Sequence, residues 1–189
     1  MNLYLVGAFS DASAAHDVGR SISGRVIADP RDDTSHLPFA AIAWGTTDDL
    51  SAFEAKADAG IYLIAERVIK PRSDEGPGEL PGIIALFPMI GSPALGHALS
   101  DAHWRDNHAP LALDVHIHMR NYRQLSVLRT LAGMDLDGLA LCGMDSADDA
   151  RNRFFKDEEG RKAIANDVSI FADTAHSPRR LLGVETVYG

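Results

Sequence analysis

Cysteine is almost missing from this chain. Cys142 is the single one among 189 residues. It lies in the apolar run Leu139–Met144, so no disulfide can form within the chain. That suits a reducing compartment, and a thiol in such a run reads as a small packed hydrophobe rather than a nucleophile. Long hydrophobic runs are also missing: no segment approaches the ~20 apolar residues of a membrane helix. The first residues lack the basic region of a signal peptide, with Asp11 and Asp17 arriving early, and the chain is read as cytoplasmic. Positive charge is scarce. Lys and Arg total 18 against 27 Asp and Glu, for a net charge of −9. This balance disfavours long-range attraction to nucleic acid or anionic lipid, and neither is expected as a partner. No Gly-x-Gly-x-x-Gly follows a strand, and neither a phosphate loop nor a Gly-x-Ser-x-Gly elbow is present. Asp173 and His176 are close in sequence, but no serine or cysteine partner is indicated.

What is present is an internal echo. Around Thr46 the chain reads Phe39-Ala-Ala-Ile-Ala-Trp44-Gly-Thr46-Thr-Asp48-Asp49, then Ile61-Tyr-Leu-Ile-Ala-Glu66-Arg-Val68. Around Ser146 it reads Leu139-Ala-Leu-Cys142-Gly-Met144-Asp-Ser146-Ala-Asp148-Asp149, then Leu181-Leu-Gly-Val-Glu185-Thr-Val187. Each copy gives an apolar strand, a hydroxyl that caps a helix, and a late strand carrying a glutamate. Such self-similarity bears on architecture before any single residue does.

The pattern along the chain fills in the elements. Leu3 to Phe9 reads as a strand, 11–23 as a helix capped by Ser10 or Asp11, and Gly24 to Ala28 as a short strand. Leu37 to Trp44 is a strand, followed by a capping box at Thr46 and Asp49 and a helix to about Ala59. Gly60 ends that helix, and Ile61 to Lys70 is a strand. Residues 71–82 are dense in Pro and Gly and form a linker. Ile83 to Ile90 is a strand in which Pro88 marks an edge or a bulge. A helix from Pro93 to about His108, strands at Val115–Leu125 and Gly138–Met144, a helix capped by Ser146, a helix over Asp157–Ala172, and a strand at Arg180–Tyr188 complete the chain. Each half then approximates strand–helix–strand–strand–helix–strand, the ferredoxin-like order. Its sheet has one bare face, which a second sheet from the same chain would cover. The expected fold is α+β: two ferredoxin-like repeats, 1–72 and 83–189, joined by a linker at 73–82. They would form an intrachain dimeric α+β barrel around a shared cavity.

Chemistry concentrates in one region. Five of the eight histidines lie between His97 and His118. On a regular helix His103 and His108 stand about 140° apart, too far round the axis to share one ligand. On a strand, His116, His118, Arg120 and Tyr122 would form one polar stripe. His116 and His118 supply two metal ligands at most, short of the three or four a metal site needs, so no metal is expected. A partly desolvated imidazole that moves protons without a cofactor fits better, and His108 is the best candidate. The Asp48-Asp49 and Asp148-Asp149 pairs read as helix-terminus charges rather than catalytic carboxylates.

The second half resembles a known family. His108-Ala-Pro110 follows a helix carrying Trp104. Tyr122 comes next, then Asp137-Gly138-Leu-Ala-Leu, Ser146-Ala-Asp-Asp149, Asp167, Phe171-Ala-Asp173 and Glu185-Thr-Val. In order and spacing, residues 83–189 resemble the EthD-like family of the dimeric α+β barrel group. The first half resembles the same fold over about 37–70. The resemblance implies a small, typically cofactor-independent protein. Relatives act on aromatic or polyketide-like compounds as dehydratases, decarboxylases, cyclases or oxygenases, some of them in catabolic gene clusters. It also places His108 beside the cavity.

Two function classes stay open. In the first, a cofactor-free enzyme binds a small apolar or aromatic molecule between sheet and helices. His108 is its acid–base group, His116, His118 and Tyr122 contact the substrate, and Trp104 forms an apolar wall. In the second, a non-catalytic accessory protein carries a hydrophobic metabolite. A haem protein on the same barrel is a third reading, and would need one histidine aimed into open space. A homodimer is expected, because sheet edges need covering.

Overall fold

The computed structural model describes residues 2–189. The chain opens with strand β1 (Asn2–Phe9), helix α1 (Ala12–Ser21) and strands β2 (Arg25–Ala28) and β3 (Ala41–Gly45). A 3-10 turn leads into α2 (Leu50–Glu54), followed by β4 (Gly60–Lys70) and the short β5 (Gly78–Glu79). Next come β6 (Ile83–Met89), helices α3 (Gly96–His103) and α4 (Ala109–Val115), and strands β7 (Asn121–Gly133) and β8 (Gly138–Met144). Helices α5 (Ala147–Asn152) and α6 (Glu158–Phe171) precede β9 (Leu181–Val187). No helix among the described residues is long and apolar enough to cross a membrane.

The strands run in the order β2-β3-β1-β4-β7-β8-β6-β9, and β2 pairs with β9 from Arg25↔Val187 to Ala28↔Val184. That last pairing closes an eight-stranded antiparallel barrel. The α+β class and the barrel agree with the sequence. Strand β5 pairs with β9 beyond the end of the β6–β9 ladder, so the segment read as a linker carries a strand of its own. Pro88 pairs with Leu139 of β8, while the β9 ladder on its other side covers only Ile84–Leu86. Its missing N–H therefore lies on a local edge.

Alternation along the strands builds two cores. On β1, Val6 and Ala8 face into the barrel, whereas Leu5 and Phe9 face out against α1 and α2. Buried on both faces, such strands read as unbroken apolar runs. Ile27, Ile42, Tyr62, Ile64, Leu86 and Leu125 fill the barrel interior. The shared chamber expected inside the barrel is thus a packed core. The outer face of β6, β7 and β8 is covered by α4 and α6 over a separate cluster that includes Ala85, Tyr122, Cys142 and Ile164.

Local signals succeed where the cap is satisfied. Asp11 accepts from the N–H of Ser13, and Ser146 accepts from the N–H of Asp149. Thr46 instead donates its hydroxyl to the Asp49 carboxylate at 2.8 Å. A 3-10 turn forms there, and the helix stops at Glu54 rather than Ala59. Phe53 is already buried, and the N–H of Ala59 is bonded to Ala8 O, which turns the chain back into β4.

Candidate functional site

The helical stretch from Gly96 to Val115 is unbroken but not uniform. Between α3 and α4, Trp104–His108 winds as a π-helix, with the Ala109 N–H bonded to Trp104 O. An i→i+5 bond means one extra residue in the turn. Residues five apart then share a face, which is where His103 and His108 lie. His103 Nε2 is 2.7 Å from one oxygen of Asp167, and His108 Nδ1 is 2.7 Å from the other. The expectation that these two histidines could not share a partner is therefore corrected. It assumed 3.6 residues per turn throughout, and the widened turn removes the offset.

A carboxylate only accepts hydrogen bonds. His108 therefore carries its proton on Nδ1 and leaves the Nε2 lone pair free. Phe171 lies beside both imidazoles, with ring centroids 5.3 Å from His103 and 5.1 Å from His108. Burial pushes the His108 pKa below the ordinary histidine value, more than the Asp167 contact raises it. Burial thus favours the neutral ring, which keeps the Nε2 lone pair available.

His108 lines a cavity of about 280 Å³ between the sheet and the helices. Phe87, Met89, Trp104, Phe154 and Phe171 supply most of its apolar wall. Tyr122, fully buried, also lines it. Trp104 Nε1 and Gln124 Nε2 both donate to the Tyr122 oxygen, at 3.1 and 3.0 Å. Among the described residues the Tyr122 hydrogen has no acceptor, so the phenol can donate to a guest. Burial raises the Tyr122 pKa strongly, which keeps that hydrogen in place. Gln124 also donates to Trp104 O at 3.0 Å, tying the π turn to β7. Gly138 of β8 makes the room: a Cβ there would lie 2.5 Å from the Trp104 ring. Arg67 of β4 grips Asp101 in the last turn of α3 through two bonds of 2.8 and 2.7 Å, which ties the helix to the sheet just before the π turn.

The polar stripe at 116–122 does not form. Helix α4 runs to Val115, residues 116–120 turn, and β7 begins at Asn121. His116 lines the cavity, with Nδ1 donating to Phe154 O at 2.7 Å and Phe154 packed on its ring. Burial drives its pKa down to about 4. His118 is not among the cavity residues and lies against the exposed Arg153 guanidinium at 3.2 Å. Arg120 is exposed and pairs with Asp145. The substrate-contact expectation therefore keeps His116, Trp104 and Tyr122 at the cavity and moves His118 away from it. Strand periodicity does not apply here, because the turn at 116–120 breaks the alternation.

Sequence reasoning passed over Asp167, His103 and Gln124 as site residues. Asp167 had a readable signal. It stands among Ile164, Val168 and Phe171 at helical spacing, a lone carboxylate beside an apolar face. Cys142 also lines the cavity, but burial pushes its thiol up to about 12, so it packs rather than reacts.

Residues 92–175 match the family model of the EthD domain, so the EthD-like resemblance read from the residues holds for the segment that builds the helical wall of the cavity. An anthrone oxidase-like protein shares the fold with a TM-score of 0.57 at 12% identity, over 99% of this chain and 90% of that one. A candidate monooxygenase from Lactobacillus acidophilus NCFM shares it with a TM-score of 0.50 at 9% identity, over 99% of this chain and 96% of that one. At these identities the likeness is one of fold. No curated protein matches the chain.

Proposed function

We propose that this protein is a cofactor-free enzyme that moves a proton on a small apolar or aromatic compound held between β6–β8 and the helices. The reaction class is lyase, isomerase or oxygenase-like. His108 Nε2 removes a proton from an acidic carbon or a phenol of the substrate. Asp167 holds the ring and stabilises the imidazolium that forms. Tyr122 donates to the oxygen on which negative charge develops, and the apolar walls keep that charge out of water. The observation that carries the reading is a carboxylate-anchored imidazole with a bare nitrogen lining an apolar cavity that also holds an unspent phenol hydrogen. A cavity of about 280 Å³ stands at the low end of the roughly 300–1,000 Å³ usual for ligand sites, so the substrate is small. The monooxygenase and oxidase-like names of the fold neighbours fit a carbanion that oxygen can intercept.

The test is a panel of phenols, anthrones and aromatic acids, screened by thermal shift and then for turnover. A bound ligand raises the melting temperature by mass action. His108→Ala is expected to keep the fold and lose turnover, while Tyr122→Phe keeps binding and slows turnover. A His108→Ala protein that turns over a panel compound normally would remove the assignment. Binding without turnover of any compound would favour an accessory role.

We also read the barrel as two ferredoxin-like repeats, 1–72 and 83–189, joined by 73–82. The order β2-β3-β1-β4 recurs as β7-β8-β6-β9. Ile27 stands opposite Glu185, and Leu125 stands opposite Glu66 in the equivalent pair of strands.

A further inference from the structure

The two glutamates of the internal echo meet at one mouth of the barrel, away from the His108 cavity. The inward positions of the strands stay apolar up to Ile27, Ile64 and Leu125. The next inward positions carry Arg25, Glu66 and Arg123, with Glu185 opposite Ile27. Arg25 Nη1 and Arg123 Nη1 both donate to Glu185 Oε1, at 2.9 and 3.0 Å. These arginines stand on β2 and β7, four places apart in a ring of eight strands and therefore on opposite walls.

The segment after β4 crosses this mouth. Arg72 donates to Pro81 O at 2.7 Å and places Nη1 3.6 Å from Glu185 Oε2. Glu75 then reaches inward from the Pro- and Gly-rich stretch. One of its oxygens takes Arg25 Nη2 at 2.9 Å, and the other takes Arg123 Nη2. A single carboxylate thus bridges two guanidiniums, one of them 96% buried by side chain. Beside it lies a chamber of about 560 Å³ whose lining is largely polar and charged, Thr46 and Ser73 among it, with Tyr4, Trp44 and Val68 as its main apolar surface.

Position separates Glu75 from the rest. Arg72 has its own carboxylate in Asp74, at 2.8 and 3.2 Å, and Arg123 lies 3.5 Å from Glu66, whereas Glu75 is the carboxylate from outside the barrel wall that spans both Arg25 and Arg123. Glu75 is 40% exposed by side chain, against 1% for Glu185, and belongs to the crossing segment rather than the barrel wall. Guanidinium pairs favour planar carboxylates through parallel charge-assisted bonds, and flat rings stack on aromatic walls such as Trp44.

We propose that this mouth is a second binding site, for a small carboxylate with a flat apolar body, whose place Glu75 holds as an internal latch. A ligand carboxylate takes the place of Glu75 between Arg25 and Arg123, so these guanidiniums still share one carboxylate, and the ligand body enters the chamber beside Trp44.

Calorimetric titration of the full chain with benzoate tests this, with benzamide as the uncharged comparison and a melting curve for each variant. Glu75→Ala is expected to tighten benzoate binding tenfold or more and to leave benzamide unchanged. Adding Arg25→Gln is expected to abolish the gain. An unchanged benzoate affinity in Glu75→Ala, an equal gain for benzamide, or a gain that survives Arg25→Gln would each overturn the proposal. If the double variant melts early, nuclear Overhauser contacts from the benzoate ring in Glu75→Ala alone decide. Contacts to the Trp44 indole support the mouth, and contacts to Trp104 or Phe171 place the ligand in the other cavity and overturn it.

Discussion

Asp167 joins two imidazoles, with His103 on one carboxylate oxygen and His108 on the other, each at 2.7 Å. Each imidazole donates, so the arrangement needs two acceptors on one side chain. Asparagine has a single acceptor oxygen and presents an N–H₂ group to the second ring. Asp167→Asn is therefore expected to force one histidine to change tautomer or swing away. Asp167 raises the His108 pKa against the larger lowering by burial, so its neutralisation lowers that pKa further. An NMR titration of the His108 ring checks the direction. An upward shift would contradict the bridge.

His116 makes the fold sensitive to acid. Its folded pKa is about 4, depressed mainly by burial, against 6.5 for the free group. A depressed folded pKa means the stabilisation is complete above about pH 6.5 and is lost as pH falls toward 4. A difference of that size corresponds to roughly 3 kcal/mol. His116→Gln is expected to be less stable than the parent at pH 7, and to lose less stability between pH 7 and pH 4. Urea midpoints at the two pH values measure both. Parallel losses in the two proteins would assign the acid sensitivity to other groups.

Gly138 permits the approach of Trp104. A Cβ at this position would meet Trp104 Cζ3 at 2.5 Å and Cη2 at 2.8 Å, both on a rigid buried ring. Gly138→Ala is expected to destabilise the protein by about 1–3 kcal/mol, as overpacked cores do. It should also disturb the Trp104–Tyr122 hydrogen bond, which indole NMR shifts would report. An unperturbed melting curve would mean the ring has room that its packing does not suggest.

The π turn is open to a length test. Removing the exposed Asn107 brings His103 and His108 from five residues apart to four. An ordinary α-helix also places such residues on one face. Both contacts with Asp167 are expected to survive, now on a regular helix. Inserting an alanine after Asn107 moves the spacing to six, about 240° around an α-helix, and is expected to break one contact and weaken ligand binding. Crystal structures of the two variants decide.

Much of this was legible in the residues. Most of the strands, the Ser146 cap and the helix carrying Ile164, Val168 and Phe171 follow from alternation, capping and helical spacing, whereas β7 begins six residues later than alternation places it. His108 and Trp104 are marked by the polar cluster Asp101–His108, where histidines and an indole crowd into one stretch. The pairing of His103 with His108 was not legible, because a π turn leaves no composition signature and a regular helix separates the two. The barrel's filling was not legible either, since a strand buried on both faces looks the same whether it encloses space or side chains. His116 and His118 misled because a His-x-His spacing reads equally well on a strand and in the turn they occupy.

Closure of the ring through β2 and β9 ties the two ends of the chain into one hoop. A fragment starting at Ile83 would hold the whole His108 cavity, yet it would be cut along two seams, the flank of β7 that meets β4 and the flank of β9 that meets β2. Each flank is a row of bare amides that seeks another strand. Two such fragments can knit β7 of one to β9 of the other and rebuild the hoop by self-assembly, so severing the crossing segment should yield pairs of half-chains rather than monomers.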